Sequence, residues 1–403
     1  MRQRSGSGWY LSFIPYNIAE GILSTLIPLY LVDELQGSLS ELGVITFAAT
    51  VLAIPASVFL GRLPDRYGRS KPFIAISFLG VSIFLFLMPF TKSVKEFGLL
   101  YIAMSIVKYI NEPSTSVLIA ESFERSQWGK ALAKQSFIEG AAQATGLAIC
   151  SLGVKHFGYV MLLRSTGPLV FASFISTMFT VQDPPLYIER LLSRFEQPIE
   201  DVETLSFSFQ SRGALTPSRR VMKFGQYSKM GFFGVGTIFF AFAASNAFVP
   251  LPVYLRESLP ASAVFTVYLA RSLCGTFSYL FFGRFVGSGA GMVKVAALMR
   301  IMLVPLIPLT STLPRPLSLF AVAALLSAVA LSWSLYDLGR EVVKVTHAKF
   351  GSLGMYDALS SIGSALGSLV GSLIPQAFGF GLLYLASSGM FAISLLFFVF
   401  GLR

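Results

Sequence analysis

Charge is scarce in this chain: only 13 % of its 403 residues are Asp, Glu, Lys or Arg, about half of the ~25 % typical of a soluble domain. That shortage excludes an ordinary soluble enzyme and a disordered protein. Cysteine and histidine are scarcer still, with two of each. Cys150 and Cys274 lie in apolar runs, so neither a disulfide framework nor a cysteine metal site is expected. His156 and His347 stand far apart. With no metal cluster, nucleotide loop or nucleophile motif beside them, a membrane enzyme is disfavoured. No cofactor and no metal are expected.

What the chain has is apolar length. Apolar residues make up 54 %, with 38 Phe and 35 Gly, and Gly is more frequent in membrane helices than in soluble ones. A helix rises 1.5 Å per residue, so crossing ~30 Å of hydrocarbon takes ~20 apolar residues. Runs of that kind fall at 9–33, 42–60, 73–90, 97–119, 133–153 and 159–181, then at 229–253, 262–282, 291–310, 316–336, 353–375 and 380–401. The fold class is therefore an all-α membrane protein of twelve transmembrane helices in two six-helix, pseudo-symmetric bundles. The expected organisation is an N-terminal bundle at 1–181, a linker at 182–228 and a C-terminal bundle at 229–403. Arg2 and Arg4 before an apolar run resemble a signal peptide, but the run from Trp9 is too long for one, so a retained first helix is expected.

The net charge of +11 follows from orientation. With the N-terminus inside, 22 of the 31 Lys and Arg fall on inner segments and 5 on outer ones. That asymmetry places both termini in the cytoplasm and explains the charge without nucleic acid as a partner. The linker is expected to carry a short surface helix at Leu186–Phe195, a Ser-rich stretch at Ser206–Ser218 and a basic run at Arg219–Lys229.

The two halves repeat at an offset of about 222 residues. Gly61-Arg62-Leu63 matches Gly283-Arg284-Phe285, and Trp128-Gly129 matches Phe350-Gly351. With a one-residue slip, Phe157-Gly158 matches Phe378-Gly379. Two parallel repeats related by an axis along the membrane normal characterise one large transporter fold, with its ligand site near the midplane between the halves. A channel would instead show a filter or pore loop.

Between spans two and three the chain reads Gly61-Arg62-Leu63-Pro64-Asp65-Arg66-Tyr67-Gly68-Arg69-Ser70-Lys71-Pro72. This resembles the signature of the major facilitator superfamily. The resemblance implies a cytoplasmic latch in which Asp65 faces a helix N-terminus, where a carboxylate gains roughly 0.3–1 kcal/mol. Gly61, Arg66, Gly68 and Arg69 complete it, and Glu121 or Glu124 accepts the basic residues. The likeness is partial elsewhere: Gly287 falls where the second-half Asp would be, and span four carries Lys108, Asn111 and Glu112 in place of the family's Arg and Gln. Span five lacks the Gly-Pro pair typical of proton-coupled drug antiporters.

Ionisable side chains in spans are costly and face a cavity or a partner. They are Glu20, Lys108, Glu112, Glu139, Arg164, Arg271 and Arg300, with Asp337 and Asp357 near span ends. Lys108 and Glu112, four apart, can pair. In this family spans one, four, seven and ten line the cavity, which brings Glu20, Lys108, Asn111 and Glu112 opposite Asn246, Trp333 and Tyr336. Arg271 is the most isolated charge: it either grips a carboxylate or phosphate bidentately or sits in a fixed ion pair with Glu139 or another acid. Glu20, Glu112 and Glu139 are either proton carriers or permanently paired carboxylates. Arg164 is expected to snorkel to the interface, and Arg300, on a peripheral span, to be structural. Gly363, Gly367 and Gly371 form a close-packing stripe. Pro28, Pro55, Pro113 and Pro250 are candidate kinks.

The function implied is a secondary active transporter in the cytoplasmic membrane, with protons as candidate coupling ion and a small anionic or zwitterionic metabolite as substrate. The alternative is a proton-coupled efflux pump for hydrophobic or cationic compounds. The expected partners are the substrate and the lipid bilayer, and a monomer is expected.

Overall fold

The computed structural model describes residues 7–67, 70–111, 128–181, 224–283, 289–347 and 353–402. Seven helical stretches among them are long and apolar enough to cross a bilayer. Two of these, Lys134–Thr180 and Ala358–Gly401, run 47 and 44 residues, enough for two crossings each. With Tyr10–Leu29, Leu39–Tyr67 and Val94–Lys108 the twelve spans are accounted for. The surface helix expected at Leu186–Phe195, and the linker through 223, lie outside the described residues.

Span one is Tyr10–Leu29 and then widens into a π turn at Tyr30–Glu34. Spans two, three and four start at Leu39, Lys71 and Val94. Spans two and four open on side-chain caps. Ser38 Oγ accepts from the Glu41 backbone N–H at 3.2 Å while Glu41 Oε2 accepts from the Ser38 N–H at 2.8 Å, the reciprocal box that satisfies two orphan donors. Ser93 Oγ likewise accepts from the Glu96 N–H. Span four was expected at 97–119; its helix Val94–Lys108 is interrupted by a turn at Tyr109–Ile110, and residues 112–119 lie outside the described residues.

Spans five and six form one run, Trp128–Thr180, broken at Gly158 with φ +67°. Spans eleven and twelve form Leu353–Gly401, broken at Gly379 with φ +78°. Both breaks need the left-handed region that favours glycine. They are the two glycines that the sequence repeat aligns. Span seven is Phe224–Phe248, and Pro250 caps the short helix Leu251–Ser258 that follows. Spans eight, nine and ten are Ala261–Phe282, Gly289–Leu303 with its continuation to Thr310, and Arg315–His347.

The repeat extends to individual hydrogen bonds. Ser173 on span six accepts from the Tyr16 N–H on span one at 2.8 Å. Ser394 on span twelve donates to the Gly236 carbonyl on span seven at 2.8 Å. Ser82 on span three donates to the Gly167 carbonyl on span six, and Ser388 on span twelve donates to the Ile301 carbonyl on span nine. The same span pairs are tied in each half.

Helix association in lipid rests on close packing of small residues. A Cβ at Gly146 would lie 2.1 Å from the Ile18 carbonyl oxygen, joining spans five and one. In the second half, Cβ atoms at Gly363, Gly367 and Gly371 would lie 2.2–2.4 Å from the carbonyl oxygens of Ile238, Phe242 and Asn246. The glycine stripe is therefore the packing face of span eleven against span seven. On the outside, Phe90, Leu99, Leu152, Phe179 and Phe320 are exposed, as a lipid-facing belt requires.

Candidate functional site

Between the halves lies a cavity of about 730 Å³. Its walls come from spans one, two, four, five and seven to eleven; no described residue of spans three, six or twelve lines it. Of the residues expected from sequence on the substrate or proton pathway, six line it: Glu20, Lys108, Glu139, Arg271, Trp333 and Tyr336.

On the first-half wall, Lys108 Nζ meets Glu20 Oε2 at 2.5 Å, joining spans four and one. The i, i+4 partner expected for Lys108 was Glu112, which lies outside the described residues. The observed partner comes from span one, because both side chains reach into the same cavity. Glu139 on span five accepts from Gln135 Nε2 at 2.7 Å. Across the cavity, Tyr279 on span eight donates to Asp337 Oδ2 on span ten at 3.1 Å.

Two expected lining residues are placed elsewhere. Asn246 is buried, and its Nδ2 donates to Ser387 Oγ at 2.7 Å. It ties span seven to span twelve behind the cavity wall, because its face of span seven turns toward the bundle. Asn111 is buried and does not line the cavity. Of the signature, Gly68, Arg69 and Glu121 lie outside the described residues, as does Glu124. Gly61, Asp65 and Arg66 are placed only as backbone, in the last turns of span two.

Arg271 makes no ion pair with any described residue. Its guanidinium lies 5.4 Å from the Tyr268 ring centroid and 5.6 Å from that of Phe248. The fixed pair with Glu139 is therefore not formed here. Arg164 is exposed and rests over Phe90, where a snorkelling side chain belongs. Arg300 corrects the sequence reading. It is 1 % exposed, and it lines the cavity although its span was expected to be peripheral. Rings of Phe240, Trp333, Phe391 and Phe248 surround its guanidinium at 4.8–5.4 Å. The long side chain reaches past its own span, which helix position alone does not reveal.

At the end of the molecule that carries the π turn, the halves touch directly. Asp33 Oδ2 accepts from Tyr159 at 2.8 Å and from Arg256 Nε of the second half at 3.0 Å. Ser151 of span five and Thr266 of span eight also bridge the halves with a 2.6 Å hydrogen bond. A Cβ at Gly43 would lie 2.5 Å from Ser372 Cβ. Only the two charges themselves, 223 residues apart, could have pointed to the Asp33–Arg256 contact.

These features define a class: a twelve-span, two-bundle membrane protein around a central, charged cavity. The chain belongs to the Major Facilitator Superfamily, whose family model matches residues 9–338. It is a multi-pass membrane transporter and not an enzyme. Among curated relatives, it is 25 % identical over 387 residues to the multidrug resistance protein MdtG of Klebsiella pneumoniae (strain 342), covering 92 % of this chain and 87 % of that one. A shorter match, 29 % over 139 residues, links it to MdtG of Rahnella sp. (strain Y9602), covering 34 % of this chain and 32 % of that relative. Among solved structures, a mutant of the nucleoside transporter NupG superposes with a TM-score of 0.72 at 12 % identity, covering 98 % of this chain and 99 % of that one. At that identity the likeness speaks to fold.

Proposed function

We propose that the protein carries a small anionic or zwitterionic solute across the cytoplasmic membrane by alternating access, coupled to protons. Two six-helix bundles, 1–181 and 229–403, rock about the central cavity. The 182–228 linker and both termini lie in the cytoplasm. The observation that carries the reading is Arg271: a guanidinium in the cavity wall, in contact with rings and with no described carboxylate. In a low-dielectric site such a group favours an anion strongly. Glu20 and Glu139 face the same cavity from the other half and are the proposed proton carriers. The Gly61, Asp65, Arg66, Gly68, Arg69 and Glu121 signature is the proposed cytoplasmic latch.

A second reading, proton-coupled efflux of hydrophobic or cationic compounds, draws support from the name of the MdtG relatives and from the Phe240, Phe248, Tyr268 and Trp333 lining. A ligand-stabilisation screen on detergent-purified protein separates the two, because a selective binder raises apparent stability by mass action. Organic anions among the hits, with affinities that change between pH 6 and pH 8, support the first reading. Hits confined to lipophilic cations support the second.

A further inference from the structure

Arg300 and Arg271 come from spans nine and eight, consecutive in sequence, and converge on one ring. Their guanidinium carbons lie 5.4 and 5.6 Å from the Phe248 centroid, and both line the cavity. Arg300 Nε donates to Ser332 Oγ at 3.0 Å, which fixes the plane of the fork. Its Nη1 is buried and has no hydrogen-bond partner. Neither guanidinium is within ion-pair distance of a described carboxylate. A buried donor left unmade is costly, and a buried charge without a counter-charge is costlier.

The other cavity charges do not meet this need. Lys108 and Glu20 neutralise each other on the opposite wall, Asp337 accepts from Tyr279, and Glu139 accepts from Gln135 on its own span. The aromatic rings do not make a cage for an incoming cation. Phe248 is engaged by both guanidinium groups, Tyr268 by Arg271, and Phe240 and Trp333 by Arg300. Two positive charges would also repel a cationic ligand. A carboxylate is planar, matches the guanidinium fork and would supply the missing acceptor. Trp333, 41 % exposed, offers a flat apolar surface beside it.

We infer that Arg271 and Arg300 form a two-guanidinium carboxylate site floored by Phe248 and Trp333, and that its ligand class is a flat, aromatic organic carboxylate. The inference rests on the proposed reading of this cavity as the solute site and narrows it to one chemistry and one second residue.

The test uses 2-naphthoate and 2-naphthylmethylammonium, the same ring with opposite charge. Binding to the full-length protein in detergent is read by thermal stabilisation and by saturable tryptophan quenching. Wild type should bind the acid and not the amine. Arg300→Gln should weaken the acid by about 10- to 100-fold, the range expected for a charge-assisted hydrogen bond, and Arg300→Lys by less. If Arg300→Gln does not fold, Arg300→Lys and the acid–amine comparison on wild type decide. Tighter binding of the amine, no saturable binding of the acid, or unchanged acid affinity in a folded Arg300→Gln or Arg300→Lys overturns the inference. If Arg271→Gln abolishes acid binding while Arg300→Gln leaves it intact, the two-arginine site falls and the anion reading of Arg271 stands. If neither substitution matters, both fall.

Discussion

Arg256 of the second half donates to Asp33 of the first at 3.0 Å, and Tyr159 holds the same carboxylate oxygen at 2.8 Å. This contact joins the halves at one end of the cavity. Asp33 sits in a π turn, a rare geometry frequent at functional sites.

Breaking that contact should favour opening at this end. The pair is partly exposed, with side chains at 40 % and 25 %, so its worth is ~1 kcal/mol, about a fivefold population change. In a background with Cys150 and Cys274 replaced by Ser, a cysteine introduced at the cavity-lining Ser24 reports access. Asp33→Asn should speed its labelling by an impermeant maleimide added on the Asp33 side by about fivefold. Equal rates in the two proteins would remove the gate role.

Lys108 and Glu20 should be coupled. Removing one partner strands a charge in a cavity wall, which is costlier than removing both. Lys108→Met is expected to lower stability by ~1–3 kcal/mol, and Glu20→Gln together with Lys108→Met by less. Thermal unfolding in detergent of the two singles and the double gives the cycle. Additive losses would contradict the pairing.

The close glycine contacts predict a sharp contrast along spans eleven and twelve. At Gly367 a methyl would meet the Phe242 carbonyl oxygen at 2.2 Å, whereas at Gly381 nothing lies within 4 Å. Gly367→Ala should cost ~1–3 kcal/mol and Gly381→Ala almost nothing. At Gly158, with φ +67°, an alanine is expected to cost ~1–2 kcal/mol from backbone strain alone. Similar melting temperatures for Gly367→Ala and Gly381→Ala would refute the packing argument.

The cap of span two carries a pH dependence. The Ser38 backbone N–H, and then the Ser38 hydroxyl, hold the Glu41 carboxyl below its ordinary value. The folded protein therefore binds this proton less readily than the unfolded chain. The contribution is complete above the unfolded pKa and is lost as pH falls through the depressed folded one. Glu41→Gln should flatten this part of the acid limb of a stability–pH curve; parallel acid limbs in the two proteins would count against it.

Spans and repeat were legible in the sequence because apolar length and turn glycines are local signals. Gly158 and Gly379 read as aligned positions, and both bear the left-handed break. Glu20, Lys108 and Arg271 were legible as cavity residues because an embedded charge has few other places to go. Partner choice was not. Lys108 takes Glu20 across spans, and no periodicity encodes which neighbouring helix supplies a counter-charge. Asn246 looked like a lining residue, yet it bonds Ser387 behind the wall, since a short amide serves packing as readily as solute. Arg300 reads as peripheral because the position of a span does not fix the reach of its side chains, and an arginine outreaches its helix.

Arg271 is where the account is most exposed. Flux of an anionic screening hit should be measured in proteoliposomes, with and without an imposed pH gradient, for wild type and Arg271→Ala at matched reconstitution. The account predicts saturable, gradient-stimulated flux that falls to background in Arg271→Ala. Undiminished flux in that variant would contradict it.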